Sequence, residues 1–162
     1  MNKYASGFLI VTLVVVIDQI TKYWVEAQMA YQQQIELLPF FSLFRTHNEG
    51  IAFSMLRGLG PWPLVLIAVA VVCFVAWLWR SNPSYRWLSH LAFGLIIGGA
   101  IGNIIDRVMY GYVVDMFLFY LENWSFAVFN IADVAISVGA GLVILDELIT
   151  WRKTKMIDRN PE

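Results

Sequence analysis

Residues 87–105 read WLSHLAFGLIIGGAIGNII, nineteen residues in which His90 is the only titratable group, and Asp106 and Arg107 follow at once. A helix rises about 1.5 Å per residue, so roughly 20 apolar residues cross a hydrocarbon core about 30 Å thick. This stretch is long enough to be a membrane span, and a bilayer forces such a span to be helical because it offers the backbone no water. Gly94, Gly98 and Gly102 recur every fourth residue, a double GxxxG that lets another helix approach closely, and Gly99 widens that flat face. Three more stretches qualify. They run over about 7–25, interrupted by Asp18 and Lys22, over 62–79, with no charge, and over 126–145, interrupted by Asp133. Nothing marks a repeat or an internal boundary, so residues 1–162 read as a single integral-membrane domain.

Composition agrees. Of 162 residues, 59% are hydrophobic and 14% charged, and the mean hydropathy is +0.65. A soluble domain of this size has no interior large enough for so much apolar surface. The net charge of -1 gives no reason to expect nucleic-acid binding. The single cysteine, Cys73, lies in an apolar run, has no partner for an internal disulfide and reads as a packing residue. Lys3 and the run 8–17 resemble the start of a cleavable signal, but no small-x-small site follows before Lys22, so the stretch reads as a retained span.

Four spans place both termini on one side. That side holds Lys3, Arg80, Arg86, Arg152, Lys153, Lys155 and Arg159, against Lys22, Arg45, Arg57 and Arg107 on the other, so the positive-inside rule puts both termini in the cytoplasm. Trp62, Trp79, Trp87, Trp124 and Trp151 fall near span ends, where interfacial aromatics belong. The outer segment 28–60 alternates around Phe41–Phe44 and carries a turn signal at His47–Gly50, which predicts short strands and a turn.

Depth then groups the carboxylates. Counting from the span starts, Asp18 lies about 17 Å and Asp106 about 28 Å from the inner surface, and Asp133 about 10 Å below the outer one. Asp115 sits in the short outer segment between the last two spans. All four belong to the outer half of the membrane or its surface, and intramembrane carboxylates are functional-site hypotheses by default. Asn103, Asp106 and Arg107 share one helix face. Asn130, Asp133 and Ser137 form a second stripe, and Asp18 shares a face with Thr21 and Lys22. Plainer readings stand beside these. Asn130 with Asp133 fits a helix N-cap and a favourable first-turn charge. Asp106–Arg107 and Asp18–Lys22 fit structural pairs, and Asp115 an ordinary loop carboxylate. The shared depth is what four separate structural accounts leave unexplained.

At these residues the chain resembles the lipoprotein signal peptidases, or signal peptidase II family. The resemblance rests on Asp18-Gln19-x-Thr21-Lys22, Asn48-x-Gly50-x-Ala52-Phe53-Ser54, Gly98-Gly99-Ala100-x-Gly102-Asn103-x-x-Asp106-Arg107, Gly111-x-Val113-Val114-Asp115 and Phe129-Asn130-x-Ala132-Asp133. Each piece is short, and their order across four spans makes them specific. The expected fold is membrane all-α: four transmembrane helices with a small outer-face β-sheet built from 28–60 and a short outer helix. The resemblance implies a bacterial inner-membrane aspartic endopeptidase that removes the signal peptide from diacylglyceryl-modified prolipoproteins, cutting just before the lipidated cysteine. It places Asp115 and Asp133 on the catalytic pair. Asp18, Asn48, Gly50, Asn103, Asp106, Arg107, Asn130 and Ala132 fall on positions that bind substrate or support the site. It implies contact with membrane lipid, inhibition by globomycin-type cyclic peptides, and neither metal nor other cofactor.

The residues themselves fit that chemistry better than its competitors. Two nearby carboxylates cannot both ionise cheaply, so they share a proton, which equips one to activate water and the other to polarise a carbonyl. Serine or cysteine catalysis wants a base, and the only histidines are His47 and His90, the latter expected at the cytoplasmic end. No histidines are placed as zinc ligands, and no phosphate-binding loop accompanies a magnesium reading. The remaining alternative is a proton-linked carrier or channel, which wants polar groups through the full depth of the spans.

Overall fold

The computed structural model describes residues 3–50, 60–81, 86–122 and 124–159. Helix α1 spans Lys3–Gln28, followed by strands β1 (Gln34–Leu38) and β2 (Phe41–Asn48). Helices α2 (Pro61–Ser81) and α3 (Trp87–Tyr110) come next, then β3 (Val113–Leu121) and the two-residue β4 (Trp124–Ser125). Helix α4 runs over Ile131–Arg159. All four helices are long and apolar enough to cross a membrane. The side chains of Phe8, Leu13, Ile20, Leu66, Phe74 and Ile144 stand half or more exposed on the outside of the bundle, as lipid-facing positions do.

α3 is the central helix, largely buried where the other three expose most of their apolar windows. Its small residues explain why. A Cβ on Gly94 would meet Ile10, one on Gly98 would meet Val14, and one on Gly102 would meet Asp18, so the GxxxG stripe is the seat of α1. Gly99 does not widen that face. It lies against α4, where a Cβ would run into the backbone oxygen of Ala132, and Gly139 of α4 answers it against Ala92 of α3. One helix thus carries two close-packing faces.

The bundle ends in a four-stranded antiparallel sheet of order β1-β2-β3-β4. Gly111 ends α3 in the left-handed region (φ 84°), its N–H reaching Arg107 O at 3.1 Å, and so turns the chain into β3. β2 is pinned to the end of α1 by Glu26. That carboxylate takes Arg45 Nε at 2.9 Å and Arg45 Nη2 at 2.6 Å, with His47 Nε2 at 2.8 Å. Beneath the sheet, Val25 and Met29 of α1 pack with Val114 and Met116 of β3. The first four residues of β3 are therefore buried on both faces.

Three sequence expectations shift. The fourth span starts at Ile131, not at 126, because Phe126–Phe129 pairs with β3: Phe126 N reaches Phe119 O at 2.8 Å and Phe129 N reaches Phe117 O at 3.1 Å. Asp133 consequently sits in the first turn of α4, where the reading of Asn130 as its cap puts it. α4 also continues well past 145. Asp146 is buried at the far end of the bundle, where Ser89 donates to it and Arg86 Nε lies 2.8 Å away. The end of the bundle opposite the sheet thus has a polar cluster, where the apolar runs suggest none. Among the described residues the outer segments hold no short helix, and Ala52, Phe53 and Ser54 lie outside the description.

Candidate functional site

The first turn of α4 carries the organising side chain. Asn130 caps the helix: its Oδ1 accepts Asp133 N at 3.0 Å, and Asp133 Oδ2 accepts Asn130 N at 3.2 Å in return. This is a capping box, so the structural reading of the Asn130–Asp133 pair is correct. It is also incomplete. The cap commits the amide oxygen to the backbone and leaves Nδ2 to reach Asp115 Oδ1 at 2.6 Å. One side chain therefore ties Asp115 on β3 to Asp133 on α4.

Two more asparagines act in the same way. Gly50 N donates to Asn48 Oδ1 at 3.0 Å, an Asx turn at the end of β2 that leaves Asn48 Nδ2 for Asp115 Oδ2 at 3.0 Å. Lys22 Nζ donates to Asn103 Oδ1 at 3.0 Å, leaving Asn103 Nδ2 for Asp133 Oδ1 at 2.9 Å. In each case an obligatory donor, a backbone N–H or an ammonium, fixes which way the amide faces. Three amide nitrogens are thereby aimed at two carboxylates.

Behind them lies a buried ionic layer. Asp18, Lys22 and Asp106 are at most 3% exposed. Lys22 Nζ is 2.8 Å from Asp18 Oδ2 and 2.9 Å from Asp106 Oδ2. Asp18 Oδ1 accepts Ala132 N at 2.9 Å, and Asp106 Oδ2 accepts Val114 N at 3.1 Å. Gln19 Nε2 reaches Asp106 Oδ1 at 2.8 Å. Charges so far from water persist only when paired and fully hydrogen-bonded, which these are. Asp106 therefore pairs with Lys22, not with its neighbour Arg107. Arg107 turns outward, Nη2 donating to Gly50 O at 2.9 Å, and holds the end of β2 against α3. Thr21 takes no part. Its hydroxyl bonds the backbone oxygens of Ile17 and Asp18.

Asp115 is no ordinary loop carboxylate. It stands on β3 with 1% exposure. Burial pushes its carboxyl up to about 7, and the nearby Asp133 charge adds to the rise against the opposing Asn48 and Asn130 donors and the Lys22 charge. Asp115 and Asp133 line a cavity of about 590 Å³ together with Asn48, Asn103, Arg107 and Ser137. Its wall is otherwise apolar, formed by Val113, Phe126–Phe129, Val134, Ile136 and Val138. Such a chamber suits an apolar ligand held by a few fixed polar groups.

All ten residues singled out from sequence meet in this assembly. Gln19 has no local signal for its part in it. Lys22 makes the Asp18 pair that its spacing offers, at 2.8 Å, and its further bonds to Asp106 and Asn103 lie beyond what that spacing shows. The other histidine, His90, is remote, its Nδ1 accepting Trp79 Nε1.

The fold defines the class, an integral-membrane enzyme that crosses the bilayer four times. Two solved bacterial membrane enzymes share it. One matches with a TM-score of 0.84 at 28% identity, covering 98% of this chain and 93% of the other. The second matches at 0.80 and 30% identity, covering 89% and 93%. The family follows from sequence: residues 10–149 match the family model of signal peptidase II. Lipoprotein signal peptidases of Brucella ovis and Brucella canis are 57% identical over 158 residues, 96% of this chain and 99% of each relative. The chain belongs to the lipoprotein signal peptidase family, whose activity is removal of the signal peptide from prolipoproteins.

Proposed function

We propose that this single-domain peptidase is of the aspartic type, with Asp115 and Asp133 as its catalytic pair. The observation that carries the reading is their placement. Two carboxylates from different elements, joined through Asn130, line one largely apolar cavity. With Asp115 raised to about 7, the pair holds one proton below that pH, on Asp115. Asp133 is then the base. It takes a proton from water as the oxygen attacks the scissile carbonyl, while Asp115 donates a hydrogen bond to the carbonyl oxygen. The tetrahedral intermediate collapses with protonation of the leaving nitrogen, and the pair returns to its one-proton state.

The remaining residues hold this pair. Asn48, Asn103 and Asn130 aim donors at the carboxylates, Asp18 and Asp106 tie α4 and β3 to the bundle, and Gly50 and Arg107 fix the end of β2. Ala132 supplies the backbone N–H that Asp18 holds. The apolar wall is suited to a diacylglyceryl-modified segment and to a globomycin-type cyclic peptide in its place. Both described ends of the chain lie away from the sheet, so with the basic residues inside, the termini are cytoplasmic and the site faces outward in a bacterial inner membrane.

The test is cleavage of a lipid-modified precursor by purified protein in detergent. Asp115→Asn and Asp133→Asn should each lose activity by several orders of magnitude while staying folded, and EDTA should leave the wild type active. Full activity in either variant removes the aspartic assignment.

A further inference from the structure

We infer that Lys22 is a positioning residue for the reaction: its ammonium sets the orientation of the Asn103 side chain and thereby the donor that Asp133 receives. The inference rests on the aspartic reading above. An ammonium carries three donors and no acceptor. Lys22 Nζ spends one each on Asp18 Oδ2, Asp106 Oδ2 and Asn103 Oδ1, at 2.8, 2.9 and 3.0 Å. Pairing with the two carboxylates uses only the first two. The third bond requires an oxygen opposite the ammonium, and so turns the amide nitrogen toward Asp133 Oδ1 at 2.9 Å. The other donor near Asn103 Oδ1 is Asn130 Nδ2 at 3.3 Å, whose shorter bond is to Asp115 at 2.6 Å. Without Lys22 the amide oxygen is held only by that longer contact. Turned over, it would set its oxygen against a carboxylate oxygen, and Asp133 would lose the hydrogen bond that steadies it as a base. A lysine on the first helix thus acts on an aspartate of the fourth through one amide of the third.

The experiment measures kcat and KM for precursor cleavage by the full chain carrying Lys22→Met, Asn103→Ala, or both. Lys22→Met is expected to lower kcat on the order of a hundredfold, the scale of a small misplacement of a reacting group, with KM within about twofold of wild type. The double variant should be no slower than Asn103→Ala alone, because both changes remove the same donor. Asp18→Asn combined with Lys22→Met keeps the net charge of the buried cluster, and it carries the same test if the single variant does not accumulate. Unchanged kcat, a loss confined to KM, losses that multiply in the double variant, or failure of both Lys22 variants to fold would each overturn the inference. Activity retained by Asp115→Asn or Asp133→Asn would instead remove the reading beneath it.

Discussion

Asp106 of α3 accepts the backbone N–H of Val114 at 3.1 Å, one residue before Asp115. A carboxylate in the membrane half of the molecule therefore sets the height of a strand outside it. The same Oδ2 is ion-paired to Lys22, so the strand, the third helix and the first meet at one atom. Asp106→Ala should leave Lys22 half-paired and the Val114 N–H without its acceptor. Breaking a buried pair by removing one partner costs about 3–5 kcal/mol. A marked drop in melting temperature in detergent is expected, with cleavage reduced on the order of a hundredfold in the protein that remains folded. A variant that melts and cleaves as wild type would separate β3 from this anchor.

On the aspartic reading, Asp115 sets an upper pH limit on the reaction. Its carboxyl lies near 7, so the one-proton pair is complete below that value and is lost as pH rises through it. The kcat/KM of the wild type should fall above about pH 7, with a single deprotonation on the basic side. A flat profile from pH 6 to 9 would place the proton elsewhere.

The same shift has a sign for stability. Asp115 rises from 3.8 to about 7 on folding, so the folded state favours its protonated form. Below about pH 4 the group is protonated in both states and costs nothing. Between about 4 and 7 the unfolded chain ionises first and stability falls, by a few kcal/mol at most. Asp115→Asn lacks this titration. The melting temperature of the variant minus that of the wild type should therefore increase from pH 4 to pH 8, and a constant difference would contradict the burial argument.

Much of this architecture is legible in the chain because the bilayer enforces it. Long apolar runs can only be helices there, and carboxylates inside them demand partners. The boundaries were less legible where tertiary pairing overrides hydropathy. Phe126–Phe129 is as apolar as a span, yet its backbone is taken by β3, and the helix waits for the Asn130 cap. Asp146 was missed for the opposite reason, since a charge read as the end of a span is here buried against Ser89 and Arg86. Pairings between elements were the least legible. Local spacing offers Asp106 to Arg107, whereas packing gives it to Lys22, 84 positions away in sequence by the difference of their numbers. Ala132 illustrates the limit: it contributes a backbone N–H, a role its side chain cannot announce.

The close seat of α1 on α3 makes Gly102 a sensitive position. A Cβ there would collide with Asp18 Oδ2 and come within 3.5 Å of Ala132 Cβ. Asp18 is held at both oxygens, by Lys22 and by Ala132 N, and has no room to yield. Gly102→Ala should cost about 1–3 kcal/mol, the usual scale of overpacking, and should lower cleavage by displacing Asp18 from Ala132. Gly141→Ala is the matched control, because nothing lies within 4 Å of a Cβ at that helical glycine. Equal melting temperatures for the two variants would show that the seat is looser than its distances.

Asn130 performs two tasks that substitution can separate. Its oxygen caps α4 and its nitrogen holds Asp115. Serine is an equally good N-cap but has no second arm for Asp115. Asn130→Ser should keep the capping contribution that Asn130→Ala loses, a difference of about 1 kcal/mol between the two variants. Both should cleave slowly, since both remove one of the two amide donors that hold Asp115. The pH profile adds a direction. The Asn130 hydrogen bond lowers the Asp115 value, so its removal should move the basic limb of the residual activity upward from about 7 in both variants. If Asn130→Ser restored activity along with stability, Asn130 would be a helix cap alone, and the tie between the two aspartates would have no part in catalysis.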